Sequence, residues 1–345
     1  MESSQPLVDA YDSLLLDLDG VIYVGHQPVA HAVEVLDQMR GRGVRLCFVT
    51  NNASRPPEDV AQSLTDFGIN AVASDVITSA QAGAALMAEQ VPAGSTILAV
   101  GGPGVKQALL AAGFQVIDAL TDPPVGEQDD VAGVLQGFGR DVAWKTLARA
   151  TFAVARGLPW IATNTDLTIP LDQGIAPGNG TLVNAVAAAT GRQPEVAGKP
   201  FPPLLERAGE LTRGLKPLVV GDRLDTDIEG AGNASMASAL VLTGVTKSLA
   251  LWRASAQQRP RHLIGDLRGL TVPPHLVARE SDRMVCGAAT AWLENRALQV
   301  RSGGDPVAGI WAVAHLLWEE DVEPDNAPEV AADLDMALID WIGRS

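Results

Sequence analysis

At 345 residues the chain exceeds the usual size of one domain and points to two or three. Apolar residues make up 47% and charged residues 19%, with no low-complexity tract, so the chain can bury real cores and is neither disordered nor fibrous. A net charge of −16 argues against broad nucleic-acid binding, which needs a basic stripe, and any bound phosphate must then be held by a metal ion, a lysine or backbone N–H groups.

The two cysteines, Cys47 and Cys286, lie far apart in apolar settings and read as buried thiols, since nothing resembles a disulfide framework or a metal cluster. The opening stretch MESSQPLVDAYD has neither the basic nor the apolar region of a signal peptide, and no apolar run approaches the ~20 residues that span a bilayer. A cytoplasmic protein without a membrane span is expected.

From residue 10 to about 75 strands and helices alternate. A strand is expected from Ser13 to Leu18, a helix from Ala30 to Arg42, a strand from Val44 to Thr50, and a helix from Pro56 to Gly68. Nearly continuous apolar strands separated by helices mean a parallel sheet covered on both faces, hence an α/β fold. A second α/β unit follows, with strands at Thr96–Val100, Gln115–Asp118, Val131–Phe138 and Pro159–Thr163, helices at Gly104–Gly113 and Trp144–Gly157, and a loop over Asp122–Asp130. The first pattern then resumes: strand Glu195–Gly198, helix Pro202–Gly214, strand Pro217–Val220, helix Thr226–Ala234, strand Ala237–Leu242. The simplest organisation is a core in two parts, 1–90 and 188–270, interrupted by an inserted α/β domain at 91–187. Residues 271–345 form a small α+β module with a hairpin over Met284–Val300 and helices at Pro306–Glu320 and Glu329–Ile342.

Chemistry-bearing residues gather at strand ends. In D-L-D-G, Asp17 and Asp19 are one residue apart and so point the same way, beyond the carboxyl end of a strand, where open parallel sheets bind ligands. Such a pair needs a cation or a proton between its charges; the plainer reading is an acidic loop. Thr50, Asn51 and Asn52 end the next strand and could bind phosphate oxygens or merely cap the helix opened by Pro56. Lys199, in G-K-P, is either a solvated side chain or an ammonium placed against a phosphate. In G-D-R-L-D-T-D, Asp222, Asp225 and Asp227 bring three hard oxygen donors to one loop with no His or Cys nearby, a set suited to Mg²⁺ rather than zinc.

Four polar clusters after apolar strands, in the order D-x-D, Thr, Lys, D-x-x-x-x-D, resemble the haloacid dehalogenase superfamily and its phosphatase branch from residue 13 to about 268. The resemblance implies a Rossmann-like parallel-sheet core. It makes Asp17 the nucleophile and Asp19 the general acid and base, with Thr50 and its neighbours binding the phosphoryl group and Lys199 neutralising it. Mg²⁺ would be held by Asp17, the Asp19 backbone carbonyl and Asp222, with Asp227 as a supporting carboxylate. An insert between Thr50 and Lys199, the T-N-N triplet, and the run A-T-N-T-D-x-x-x-P followed by P-G-N-G at Pro177–Gly180 are similar to the large-capped nitrophenyl-phosphatase subfamily. Arg55, Asn164 and Asp166 are then candidate substrate contacts. Within that subfamily the chain most resembles actinobacterial enzymes acting on glycerol 3-phosphate; phosphoglycolate, nucleotides and pyridoxal phosphate stay open as substrates, as does a homodimer. A regulator that only binds a phosphorylated ligand, or a phosphotransferase, would be the alternatives of another class.

Two motifs compete for attention. A-V-G-G-P-G at Ala99–Gly104 follows a strand and opens a helix, but lacks the spacing of a dinucleotide loop. The passage Gln299–His315 faintly resembles the cofactor strand and helix of a GNAT-type acetyltransferase, with a loop poorly matched to a pyrophosphate cradle.

Overall fold

The computed structural model describes residues 5–123, 130–171 and 173–343. Most of the loop expected over Asp122–Asp130 lies outside the described residues. The chain divides into two compact units, Met1–Leu46 with Thr212–Ser345, and Cys47–Leu211.

In the first unit four parallel strands lie in the order His262–Ile264, Ala237–Val241, Pro217–Gly221, Ser13–Leu16. Leu14, Leu15 and Leu16 are all fully buried, as strands covered on both faces must be. The expected first strand ends two residues early, at Leu16, because the chain turns at the acidic D-L-D-G and Gly20 takes φ +80°. A two-stranded ribbon, Tyr23–Val24 with Gln27–Pro28, precedes helix Ala32–Gly41, which buries Val35, Leu36 and Met39.

Residues 277–301 form a four-stranded antiparallel meander in place of the expected hairpin. The strand Val277–Glu280 escaped notice because V-A-R-E has little alternation and its residues stay largely exposed. Helices Pro306–Glu320 and Ala327–Ile342 pack with the meander into a single apolar cluster that also takes in Leu240, Leu251, Trp252 and Leu263. Trp252 Nε1 donates to the Ile310 carbonyl (3.1 Å), and Ser248 Oγ donates to Asp335 Oδ1 (2.6 Å). Asp305 caps the helix at Pro306, accepting from the N–H groups of Val307 (3.0 Å) and Ala308 (3.2 Å). A carboxylate thus already occupies the helix N-terminus that a pyrophosphate would need.

In the second unit the strands Arg45–Thr50 (from Cys47 on) and Val76–Thr78 pair in parallel, and five parallel strands form a separate sheet. Its order is Glu195–Val196, Trp160–Ala162, Gly133–Gln136, Thr96–Val100, Gln115–Asp118. Two helices add to the expected set. Ser79–Gln90 is set by a capping box, Gln81 N–H to Thr78 Oγ1 (3.3 Å) and Thr78 N–H to Gln81 Oε1 (2.8 Å). Asn179–Thr190 packs Val183, Val186 and Ala187 into a core with Leu98, Val134 and Trp160. Among the described residues no helix is long and apolar enough to cross a membrane.

His262 and Tyr11 meet in the first unit, Nε2 to Oη, at 2.7 Å. Burial, aided by the charge of Arg261, lowers the imidazole from 6.5 to about 4. The unfolded chain therefore takes up this proton first, and the contribution to stability is complete above 6.5 and is lost as pH falls toward about 4. The melting temperature should fall across that window, and should fall less in His262→Gln, as followed by circular dichroism. Identical falls in both proteins would assign the titration to another group.

Candidate active site

The residues singled out in the sequence fall in two groups, one in each unit. In the first unit the parallel register pairs Leu16 with Val220, so the two strands end level and release Asp17 and Asp222 at one edge. The Asp17 N–H continues the ladder to the Val220 carbonyl (2.9 Å). Asp227 arrives from Leu224–Ile228, a π-helical turn where a helix was expected to run from Thr226 to Ala234; regular helix begins only at Glu229. One carboxylate oxygen from each of Asp17, Asp222 and Asp227 lies within 4.8 Å of the others.

Asp222 and Asp227 are 1% and 0% exposed, and Asp17 is half-buried. Three negative charges at such spacing repel by about 3–4 kcal/mol per pair at an effective dielectric of about 20. Only a cation or a shared proton relieves that repulsion. The trio is nonetheless built to stay in place. Val245 N–H donates to Asp222 Oδ2 (2.6 Å) and Arg223 N–H to Asp227 Oδ2 (3.1 Å). A Cβ on Gly20 or Gly244 would stand 2.4 or 2.0 Å from Asp222 Oδ2, and one on Gly221 2.2 Å from Asp227 Cγ. Thr243 Oγ1 donates to the Gly20 carbonyl (2.6 Å), tying the loop after Asp19 to the strand end beside Gly244.

Asp19 stands outside the trio and is exposed, while Leu18 between the two aspartates is buried. Asp225 turns away into a bidentate pair with Arg223 (3.0 and 2.7 Å). Burial alone would raise its carboxyl, and the hydrogen bonds and charge of Arg223 more than offset this and hold it below the usual range.

In the second unit Asn51, Asn164, Asp166 and Lys199 come together. The Asn51 side chain closes two hydrogen bonds on the Lys199 backbone, Oδ1 accepting from Lys199 N–H (2.8 Å) and Nδ2 donating to the Lys199 carbonyl (2.9 Å). Nδ2 also lies 3.4 Å from Asp166 Oδ2. The Asn51 carbonyl accepts from Asn164 Nδ2 (2.7 Å) and Ser79 Oγ (2.6 Å). Thr50, 5% exposed, accepts the Asn52 N–H on Oγ1 (3.1 Å), and the Asn52 side chain holds Ser54. Lys199 is 3% exposed, so it is not the solvated lysine of the plainer reading. Arg55, just before the helix Pro57–Asp66, reaches along it, donating to the Asp59 carbonyl (2.5 Å) and Ser63 Oγ (2.6 Å).

A family model described as haloacid dehalogenase-like hydrolase matches residues 14–115, and a second, HAD-hydrolase-like, matches 196–270. The D-glycerol 3-phosphate phosphatase of Mycobacterium tuberculosis is 41% identical over 272 residues, covering 79% of this chain and 74% of that protein. The chain belongs to the haloacid dehalogenase-like hydrolases. An acid sugar phosphatase of Staphylococcus saprophyticus is 36% identical over 68% of this chain and 88% of its own. Among solved structures, the M. tuberculosis glycerol phosphate phosphatase in complex with magnesium superimposes with a TM-score of 0.80 at 36% identity, covering 92% of this chain and 93% of that one. The p-nitrophenyl phosphatase of Archaeoglobus fulgidus gives 0.68 at 26% identity, covering 76% and 98%.

For this hydrolase the A-V-G-G-P-G turn has a packing explanation. A Cβ on Gly102 would stand 2.7 Å from the Ser54 carbonyl and one on Gly104 2.5 Å from that of Ala53, so these glycines admit the chain's own backbone. Gly20, Gly221 and Gly244 were missed as site residues; a glycine that makes room for a carboxylate carries no mark in the sequence. Gly244→Ala should displace Asp222 or its loop and lower stability by about 1–3 kcal/mol, as for other overpacked sites, read from urea unfolding. An unchanged midpoint would mean that the cradle is looser than its geometry.

Proposed function

We propose that this hydrolase is a Mg²⁺-dependent phosphomonoesterase that releases phosphate from a small phosphorylated metabolite, with glycerol 3-phosphate as first candidate. The observation that carries the reading is the trio of half-buried Asp17 with buried Asp222 and Asp227, oxygen donors with no His or Cys among them. Its carboxylates, with the Asp19 carbonyl, would hold the ion. When bound, Mg²⁺ supplies positive charge that offsets the repulsion between an attacking carboxylate and a phosphate dianion.

The residues divide the work as follows. An Asp17 oxygen attacks phosphorus in line with the departing ester oxygen, forming an aspartyl phosphate as the P–O ester bond breaks. The Asp19 carboxyl gives its proton to that oxygen, then as a carboxylate takes one from a water that attacks the phosphorus. The acyl–phosphate P–O bond breaks, phosphate leaves, and Asp17 is restored. The Thr50 hydroxyl and the Asn51–Asn52 segment bind phosphoryl oxygens, and the Lys199 ammonium neutralises them. Residues 91–187 act as an inserted cap that chooses the alcohol, with Asn164 and Asp166 as its candidate contacts. The names of relatives support the substrate class: one acts on D-glycerol 3-phosphate, and others are acid sugar phosphatases.

Phosphate release from glycerol 3-phosphate, sugar phosphates, phosphoglycolate, nucleoside monophosphates and pyridoxal phosphate tests the reading. Release should require Mg²⁺, stop with a chelator, and vanish in folded Asp17→Asn. Near-normal turnover in that variant would remove Asp17 as nucleophile, and no release from any ester would shift weight to a binding or phosphotransfer role.

A further inference from the structure

We infer that Asn179, the asparagine of the P-G-N-G run, is a positioning residue that sets where Lys199 stands. The inference rests on the role proposed above for Lys199 toward the phosphoryl group.

Asn179 opens the helix Asn179–Thr190 and is 1% exposed. Its Nδ2 donates to the Asn164 carbonyl (2.7 Å) and, at longer range, to that of Gln136 (3.4 Å). Its Oδ1 is buried with no hydrogen-bond partner. An apolar side chain of similar size would fill this space without stranding an acceptor, and burying an unmet acceptor costs stability. What only the amide offers is the N–H that fixes the Asn164 peptide.

The glycines beside Asn179 serve the same contact. A Cβ on Gly178 would stand 2.3 Å from the Asp166 carbonyl oxygen, and one on Gly180 2.1 Å from that of Thr165. With both absent, the helix start closes on the loop 164–167. Gly180 N–H donates to the Asp166 carbonyl (2.8 Å), and Gly178 N–H (2.9 Å) and Thr181 Oγ1 (2.7 Å) donate to that of Leu167.

That loop in turn holds Asn51. Asn164 Nδ2 donates to the Asn51 carbonyl, and the Asn51 amide brackets the Lys199 backbone from both sides. Gly198 lets the strand end approach, since a Cβ there would lie 2.7 Å from Asn51 Oδ1. A continuous run of hydrogen bonds of 2.7–2.9 Å therefore leads from Asn179 through Asn164 and Asn51 to the residue whose ammonium has to face charge.

The test is a double-mutant cycle on the full chain with Mg²⁺ and the best ester of the panel. Asn179→Leu removes the donor at similar size, and Asn179→Ala removes it without added bulk should the first variant fail to fold; circular dichroism and thermal melts check both. Each is made alone and with Lys199→Ala. Alone, each should lower kcat by up to about 10²-fold, the scale of a ~1 Å misplacement, with little change in KM. In the Lys199→Ala background the same change should cost almost nothing. A folded Asn179 variant with native kcat, or a loss fully additive to that of Lys199→Ala, overturns the inference. Native activity in Lys199→Ala alone removes the underlying role of Lys199 and the inference with it.

Discussion

Three carboxylates forced together at the ends of two parallel strands are the constraint around which the first unit is arranged. The backbone register leaves them little choice: pairing Leu16 with Val220 brings Asp17 level with Gly221, and Asp222 follows. A protein of charge −16 already repels itself, and adding local repulsion at a buried edge is costly unless something positive is meant to stand there. The surrounding sequence accepts that cost. Glycine at 20, 221 and 244 gives the carboxylates room, backbone N–H groups of Arg223 and Val245 aim them, and a π-helical turn delivers Asp227.

The second unit solves a different problem, holding a long flexible lysine still in a buried place. It does so through short amides rather than charges. Asn51 and Asn164 each join a side-chain N–H to another segment's carbonyl, and Asn has few rotamers to lose in doing so. The same logic explains why Lys199 follows Gly198: the loop has to pass within contact of the Asn51 amide and the Thr163 carbonyl.

Much of this was legible in the sequence because it repeats one signal, an apolar run ending in a polar cluster. Asp17, Asp222, Asp227 and Lys199 all announce themselves that way, and the parallel α/β class follows from the same runs. The helices Ser79–Gln90 and Asn179–Thr190 did not, since their many small residues give little contrast between buried and exposed faces. Asp225 looked like a third ligand by spacing alone, and only the position of Arg223 shows where its charge is spent. Arg55 is a candidate substrate contact by resemblance, and its guanidinium donates to the Asp59 carbonyl and Ser63 Oγ of the helix that follows it. Side-chain direction at a turn depends on which partner the backbone brings within reach, which composition and spacing do not carry. The C-terminal segment reads in the sequence as a small accessory α+β module, and helix Pro306–Glu320 shares one apolar cluster with Leu240 and Leu263 of the parallel sheet. Its residues lie past the end of both family matches, at 115 and 270.

A metal-held trio is tested most directly by calorimetric titration of Mg²⁺ into the substrate-free protein at neutral pH, with Asp222→Asn alongside. One ion per chain should bind, raise the melting temperature as ligand linkage requires, and fail to do either in the variant. Equal binding by both proteins, or none by the wild type, would contradict the trio as the seat of the ion and leave its crowded charges to be explained by a shared proton.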